Sequence, residues 1–193
     1  MKTDVYIDVM VAEPDHLMYA QEICDIIEDA AIKRKTGIAK RESSYIEQKI
    51  REGKAIIALG EHGQLAGFCY IETWGHGRYV ANSGLIVAEA FRRTGLAKRI
   101  KAAIFDLSRT RYPDAKIFGI TTSLAVMKIN SDLGYEPVTY SELTDDEQFW
   151  KGCRSCPNHD ILMRNERRMC LCTAMLFDPE AKARKAAQRK DDE

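Results

Sequence analysis

Residues 4–12, DVYIDVMVA, alternate polar and apolar side chains and predict a half-buried strand. Pro14 and Asp15 then open a helix with apolar positions at Leu17, Ile23, Ile26 and Ile27, running to about Arg34, where KTGI breaks the pattern. RESSYIEQKIREG predicts a second helix, capped by Ser43 or Ser44 and closed by Gly53. The two apolar runs around GEHG, in KAIIALGEHGQLAGFCYIET, predict a hairpin, and RYVANSGLIVA a further strand. In GLAKRIKAAIFDLSRTR the apolar residues Leu96, Ile100, Ala103, Ile104 and Leu107 fall at three- and four-residue steps, which is helical. KIFGITT reads as a short strand and SLAVMKINSDLGY as a helix ended by Gly134, followed by a strand around Pro137–Tyr140.

The last third changes character. After the acidic SELTDDEQFW, the stretch KGCRSCPNHDILMRNERRMCLCTAMLFDP predicts two short strands around the polar turn RNER. The charged tail, EAKARKAAQRKDDE, lacks large apolar residues and predicts a frayed helix or a disordered end. The element order gives an α/β (α+β) class: a mixed, mostly antiparallel sheet flanked by helices, with a C-terminal Cys-rich β-hairpin. The expected organisation is a core over residues 1–145, a Cys-rich hairpin over 146–178 completing the same domain, and a tail over 179–193.

Bulk properties exclude more than they assign. At 193 residues the chain can bury a substantial core. Its 29 basic residues balance 29 acidic ones, so no net field draws it to nucleic acid. No apolar run reaches a membrane-spanning length, and the acidic residues near the start disfavour a signal peptide. The expected compartment is cytoplasmic, with no nucleic-acid or membrane partner, and a homodimer is compatible with the sequence.

FRRTGLAKRI places two arginines at the first turn of a helix, directly after an apolar strand. Cations there oppose the helix dipole. An anion bound by the turn's N–H groups, with Gly95 and Ala97 small enough for close approach, would reverse that penalty. The alternative is a solvated basic turn. Neither a Walker A loop nor a dinucleotide G-x-G-x-x-G is present.

LIVAEAFRRTGLAKRI resembles the acyl-CoA-binding signature of the GNAT superfamily of N-acetyltransferases, R/Q-x-x-G-x-G/A, matched by Arg92, Gly95 and Ala97. The resemblance implies acetyl-CoA as cosubstrate. Ile86 and Val87 would contact the pantetheine and thioester, and Arg92, Arg93, Thr94, Gly95, Leu96 and Ala97 the pyrophosphate. GIAKRESSYIEQKI, the hairpin and FGITTSLAVMKINSDLGYEPV together resemble the acyltransferase domain of bacterial N-acetylglutamate synthases. That likeness implies an amino-acid acceptor such as glutamate, or another arginine-pathway metabolite, whose carboxylate Lys40 or Arg41 would grip. The same two cations could equally be solvated near a helix start.

The chain departs from the superfamily pattern at two places. The strand before the signature has Ala81 and Asn82 where a glutamate base is often found. The position of the tyrosine that often protonates the thiolate holds Asn130, which could instead hydrogen-bond near the coenzyme's sulfur, the alternative being an exposed helix asparagine. Glu72 and His76 are the nearest replacement bases, each also explicable as a structural or solvated group. Orientation could supply most of the acceleration without a base.

Cys153-x-x-Cys156 and Cys170-x-Cys172 bracket the expected hairpin, so four thiolates could converge on a structural zinc. Packed, reduced thiols are the alternative. The expectation is an acyl-CoA-dependent N-acyltransferase acting on a small amine. Its rivals are a protein or peptide N-acetyltransferase and a non-catalytic CoA-binding sensor or interaction module.

Overall fold

The computed structural model describes residues 6–34 and 41–191. Seven strands form one sheet: β1 (Ile7–Val11), β2 (Ala55–Gly60), β3 (Leu65–Trp74), β4 (Tyr79–Val87), β5 (Lys116–Thr121), β6 (Glu136–Val138) and β7 (Thr173–Phe177). Their order is β1-β2-β3-β4-β5-β7-β6, antiparallel throughout except for β4 against β5. The helices are α1 (Ala20–Arg34), α2 (Ser43–Arg51), α3 (Leu96–Arg111), α4 (Leu124–Asp132), α5 (Glu147–Lys151), α6 (His159–Arg164) and α7 (Pro179–Asp191). Among the described residues, no helix is long and apolar enough to cross a membrane.

Side chains alternate across a strand, so the uninterrupted apolar run of β2 requires cover on both faces. Ile56 faces a core made with Leu96, Ile100 and Ile104 of α3, together with Cys69, Ile71, Val80, Ile117 and Met175. Ile57 faces the opposite core, formed by Ile23 and Ile27 of α1, Ile46 and Ile50 of α2, and Phe68, Tyr70 and Ile86 of the sheet. A third core lies on this second face over the other half of the sheet. There Ala81, Phe118, Ala174 and Leu176 meet Tyr140, Leu143, Trp150 and Leu162. The second face therefore has two separate covers, and β3 and β4 run beneath the join.

Two irregularities shape that join. In the β3–β4 pairing Phe68 stands opposite Ile86 and Tyr70 opposite Ser83, so Gly84 and Leu85 together oppose Cys69 in a bulge. Gly84 is left-handed there (φ 66°), and a Cβ at that position would lie 2.2 Å from Tyr70 Cε1. The parallel partner is lost just before the bulge: β5 pairs β4 only at Tyr79, Val80 and Ala81, then continues beside β7. The strands thus part from Asn82 onward and open a wedge in the sheet.

Several expectations need correction. Residues 14–19 form a 3-10 turn ahead of α1, not its first turns. The N-cap of α2 is Glu42, without a side-chain capping bond, rather than Ser43 or Ser44. The Cys-rich hairpin is absent: its first limb is α5, a 3-10 turn at Gly152–Ser155 and α6, and only Thr173–Phe177 is strand. Both edges of β7 are taken by β5 and β6, so no edge remains for a second limb to pair with. The KTGI break lies outside the described residues.

Candidate active site

β4 ends at Val87, and a 3-10 turn (Glu89–Phe91) leads into α3 at Leu96. Two residues in this passage are left-handed, Arg93 (φ 64°) and the N-cap Gly95 (φ 82°). No side chain caps α3, and Lys98 and Arg99 are the first of its N–H groups to find a backbone acceptor, both on Gly95 O. The N–H groups of Leu96 and Ala97 consequently point out of the helix end, as anion binding requires. A cavity of about 250 Å³ lies over this turn, lined by Val87, Phe91, Arg92, Arg93, Gly95, Leu96, Ala97, Lys98 and Ile129.

The nominated contacts separate here into side-chain and backbone types. Arg92, Arg93 and Thr94 are exposed, although Arg92 Nε donates to Val87 O (3.3 Å) and Thr94 Oγ1 to Phe91 O (2.7 Å). Ile86 and Leu96 are buried in opposite cores, so each offers chiefly backbone to a ligand. Ala88 N donates to Ala66 O across β3, and N–H groups alternate along a strand. Val87 therefore directs its N–H and C=O toward the wedge. The residues present fit a pyrophosphate. A Cβ built at Gly95 meets nothing within 4 Å, so this side of the turn is open to a ligand.

A second group of polar side chains lies under the join between the two covers. Tyr70 on β3 belongs to the core beneath α1 and α2, whereas Trp74 packs against the third core, and Glu72 stands between them. Tyr45 of α2 donates its hydroxyl to Glu72 Oε1, and Ser83 Oγ lies 3.5 Å from Glu72 Oε2. Arg41 Nε donates to Tyr70 Oη at 2.7 Å. The Tyr45 and Tyr70 rings meet edge to face at 5.9 Å, and Lys49 Nζ lies 4.8 Å from the Tyr45 ring centroid.

The electrostatics follow from burial in company. Burial, reinforced by Glu72, pushes the Tyr45 phenol far above its ordinary range, so it stays a donor. Burial also raises Tyr70, with Glu72 adding to the shift and Arg41 opposing it. Burial weighs against the charge on Arg41, but Tyr70, Glu72 and Tyr45 more than offset it, and the guanidinium is held cationic. Lys49 is lowered by burial despite the pull of Glu72.

The other nominated residues are dispersed. Lys40 lies outside the described residues. His76 is exposed in the β3–β4 turn at φ 57°. Tyr79, where β4 begins, is seven residues from Ile86, about 23 Å along a strand, so the fold does not bring His76 to Ile86 and Val87. Asn130 is not an exposed helix residue: it is 1% accessible, and its Nδ2 lies 3.7 Å from Met175 Sδ. Its Oδ1 is buried without a hydrogen-bond partner.

The four clustered cysteines are half-buried free thiols near Tyr140, whose phenol is raised by burial and by their combined charge. The proposed zinc set meets an obstacle in the fold. Cys170 and Cys172 precede β7, so they do not share one face of a strand. Among the described residues no three His, Cys, Asp or Glu side chains are arranged to hold a metal ion. Tyr45, Lys49 and Tyr70 were not nominated from sequence. Their signal was available as aromatic and basic residues interrupting the apolar spacing of α2 and β3.

A strand that parts from its parallel neighbour and feeds a basic, left-handed turn at a helix N-terminus is an arrangement that suits the pyrophosphate and thioester arm of an acyl-CoA. The profile described as the acetyltransferase (GNAT) family matches residues 20–125, and the chain belongs to that family of N-acetyltransferases. No curated protein matches it in sequence. Among solved structures it is similar to N-acetylglutamate synthase from Neisseria gonorrhoeae complexed with coenzyme A and N-acetyl-glutamate. Identity there is 17% and the TM-score 0.63, over 90% of this chain and 35% of that one. It is also similar to a phosphinothricin acetyltransferase from Sinorhizobium meliloti in complex with acetyl-CoA, at 11% identity, TM-score 0.59, and 91% and 89% coverage. A GNAT-family acetyltransferase from Staphylococcus aureus gives 13% identity, TM-score 0.58, and 73% and 91% coverage.

Proposed function

We propose that the chain acetylates the amino group of a small amino-acid acceptor, glutamate or a compound of similar charge, using acetyl-CoA. The observation that carries the reading is the cluster of Arg41, Tyr45, Tyr70 and Glu72 under the join of the two covers, with Ser83 of the parting strand in contact with it. A basic group and an acidic group side by side match the two ends of an α-amino acid.

In this reading the pyrophosphate rests on Arg92–Ala97, and the thioester enters the wedge beside β4. Val87 N–H polarises the thioester carbonyl. Arg41 holds the acceptor carboxylate, and Glu72 takes a proton from the ammonium directly or through one water. The freed amine attacks the carbonyl carbon and the C–S bond breaks. The second amine proton passes to the departing thiolate. Tyr45 fixes the orientation of Glu72.

The test is a panel of amines assayed by thiol release with acetyl-CoA and with succinyl-CoA, on the wild type and Arg41→Ala. Amino acids should be the best substrates, and Arg41→Ala should raise their KM while leaving CoA affinity unchanged. A best substrate without a carboxylate, such as a peptide amine, would overturn the assignment. CoA binding without turnover on any amine would favour a sensor role.

A further inference from the structure

The C-terminal cover carries a second concavity, of about 140 Å³, whose lining shares no residue with the coenzyme cavity or with the Arg41–Glu72 cluster. Its apolar floor is Trp150 and Leu162, both buried in the third core. Its rim is Lys151, Arg154, His159 and Arg167, and Glu147 is the single carboxylate among the lining residues. We propose that this concavity is a binding site for a compact oxyanion, a carboxylate or a phosphate.

Three observations converge. Arg167 is fixed rather than trailing: its guanidinium forks onto Glu147 at 2.6 and 3.2 Å and lies 5.7 Å from the Trp150 ring centroid. It lies at the second of two successive left-handed residues, Glu166 (φ 50°) and Arg167 (φ 60°), a conformation that side-chain-bearing residues rarely adopt. Glu147 is thereby committed to Arg167, and among the described residues neither Lys151 nor Arg154 closes an ion pair within 4 Å. The rim thus keeps an excess of positive charge around a desolvated floor, in a chain whose formal net charge is zero. An anion of matching size would make charge-assisted hydrogen bonds there that water makes less well.

The volume sets the size of the ligand. At about 30 Å³ per water the space holds roughly four or five waters' worth of matter. A phosphate or a short dicarboxylate fits; a nucleotide does not.

The test uses the full chain, isotopically labelled with ¹⁵N, titrated separately with inorganic phosphate and with succinate at constant ionic strength. The chain has two tryptophans, so the indole N–H of Trp150, which donates to Thr144 O, is resolved from that of Trp74. Phosphate can also settle on the Arg92–Ala97 turn, and Arg93→Glu removes that contribution. Lys151→Glu/Arg154→Glu changes two exposed side chains outside every core, and its Trp74 signal reports that it is folded. The Trp150 signal should move saturably with at least one probe in the wild type and in Arg93→Glu, and the double variant should weaken binding about tenfold or more. The probe that binds identifies phosphate or carboxylate as the ligand class. The proposal is overturned if neither probe gives a saturable shift, if the double variant binds as the wild type does, or if Arg93→Glu abolishes the response.

Discussion

Gly84→Ala tests the bulge in the β3–β4 pairing, beside the point where β4 and β5 part. The added methyl group faces two separate costs. At φ 66° a side-chain-bearing residue is left-handed, which costs about 1–2 kcal/mol. The new Cβ would also lie 2.2 Å from Tyr70 Cε1 and 2.8 Å from Cδ1, and Tyr70 is 1% accessible, so its ring has little room to retreat. Overpacking of that kind adds about 1–3 kcal/mol. The sum, about 2–5 kcal/mol, corresponds to a fall in Tm of roughly 5–15 °C for a domain of this size. Gly77→Ala is the internal control, since Gly77 has φ 84° but nothing within 4 Å of its Cβ, leaving only the conformational cost. Urea unfolding of both variants, with Tyr70→Ala and Gly84→Ala/Tyr70→Ala completing a cycle, isolates the contact. The double variant should be more stable than additivity predicts by about 1–3 kcal/mol. Equal losses for Gly84→Ala and Gly77→Ala, or strict additivity in the cycle, would refute the account of the bulge.

Further expectations concern the Arg92–Ala97 turn, a buried lysine and the thiols. Gly95→Glu puts a carboxylate where pyrophosphate is proposed to sit without touching a core, and calorimetry should show CoA affinity reduced at least tenfold, with Tm lowered by no more than the left-handed backbone cost of about 1–2 kcal/mol that Gly77→Ala also carries. Lys101 of α3 is 2% accessible, with its ammonium 5.4 Å from the Tyr135 ring, and burial lowers its pKa despite the nearby Cys69. A depressed lysine binds fewer protons folded than unfolded, so its penalty grows as pH falls from the unfolded value near 10.4 toward the folded one. Lys101→Met should therefore stabilise the protein at pH 7 by about 1–3 kcal/mol, with a smaller gain at pH 9.5, as urea titrations at the two pH values would show. Timed thiol labelling of native protein should modify Cys153, Cys156, Cys170 and Cys172 but neither Cys24 nor Cys69, which are buried. Cys172, pushed up to about 11 by burial and the neighbouring cysteines, should be the slowest of the four.

Local chemistry explains what was legible in the sequence. The turn at Arg92–Ala97 could be read because its requirements are contiguous: an apolar strand, a left-handed glycine and a helix start lie within a dozen residues. The helical spacing of Leu96, Ile100 and Ile104 was equally direct, because all three face one core. The first limb of the Cys-rich stretch was misread for a tertiary reason. Its few apolar residues suit strand or helix alike, and only the occupation of both β7 edges decides between them. The Arg41–Glu72 cluster was only partly visible. Glu72 and Arg41 could be nominated, but Tyr45 and Tyr70 join them through the packing of α2 on β3, which no local pattern encodes. His76 was attractive as a residue type and is set apart by strand length alone.

The most direct measurement is the pH dependence of acetyl-CoA turnover by Glu72→Gln beside the wild type, with CoA affinity followed in parallel. If Glu72 takes the acceptor's proton, kcat should fall about 10²–10⁴-fold at neutral pH, recover partly as rising pH deprotonates the amine in solution, and leave CoA affinity unchanged. A Glu72→Gln enzyme within about threefold of wild-type kcat, with the same pH profile, would contradict the placement of the chemistry beneath the join of the two covers.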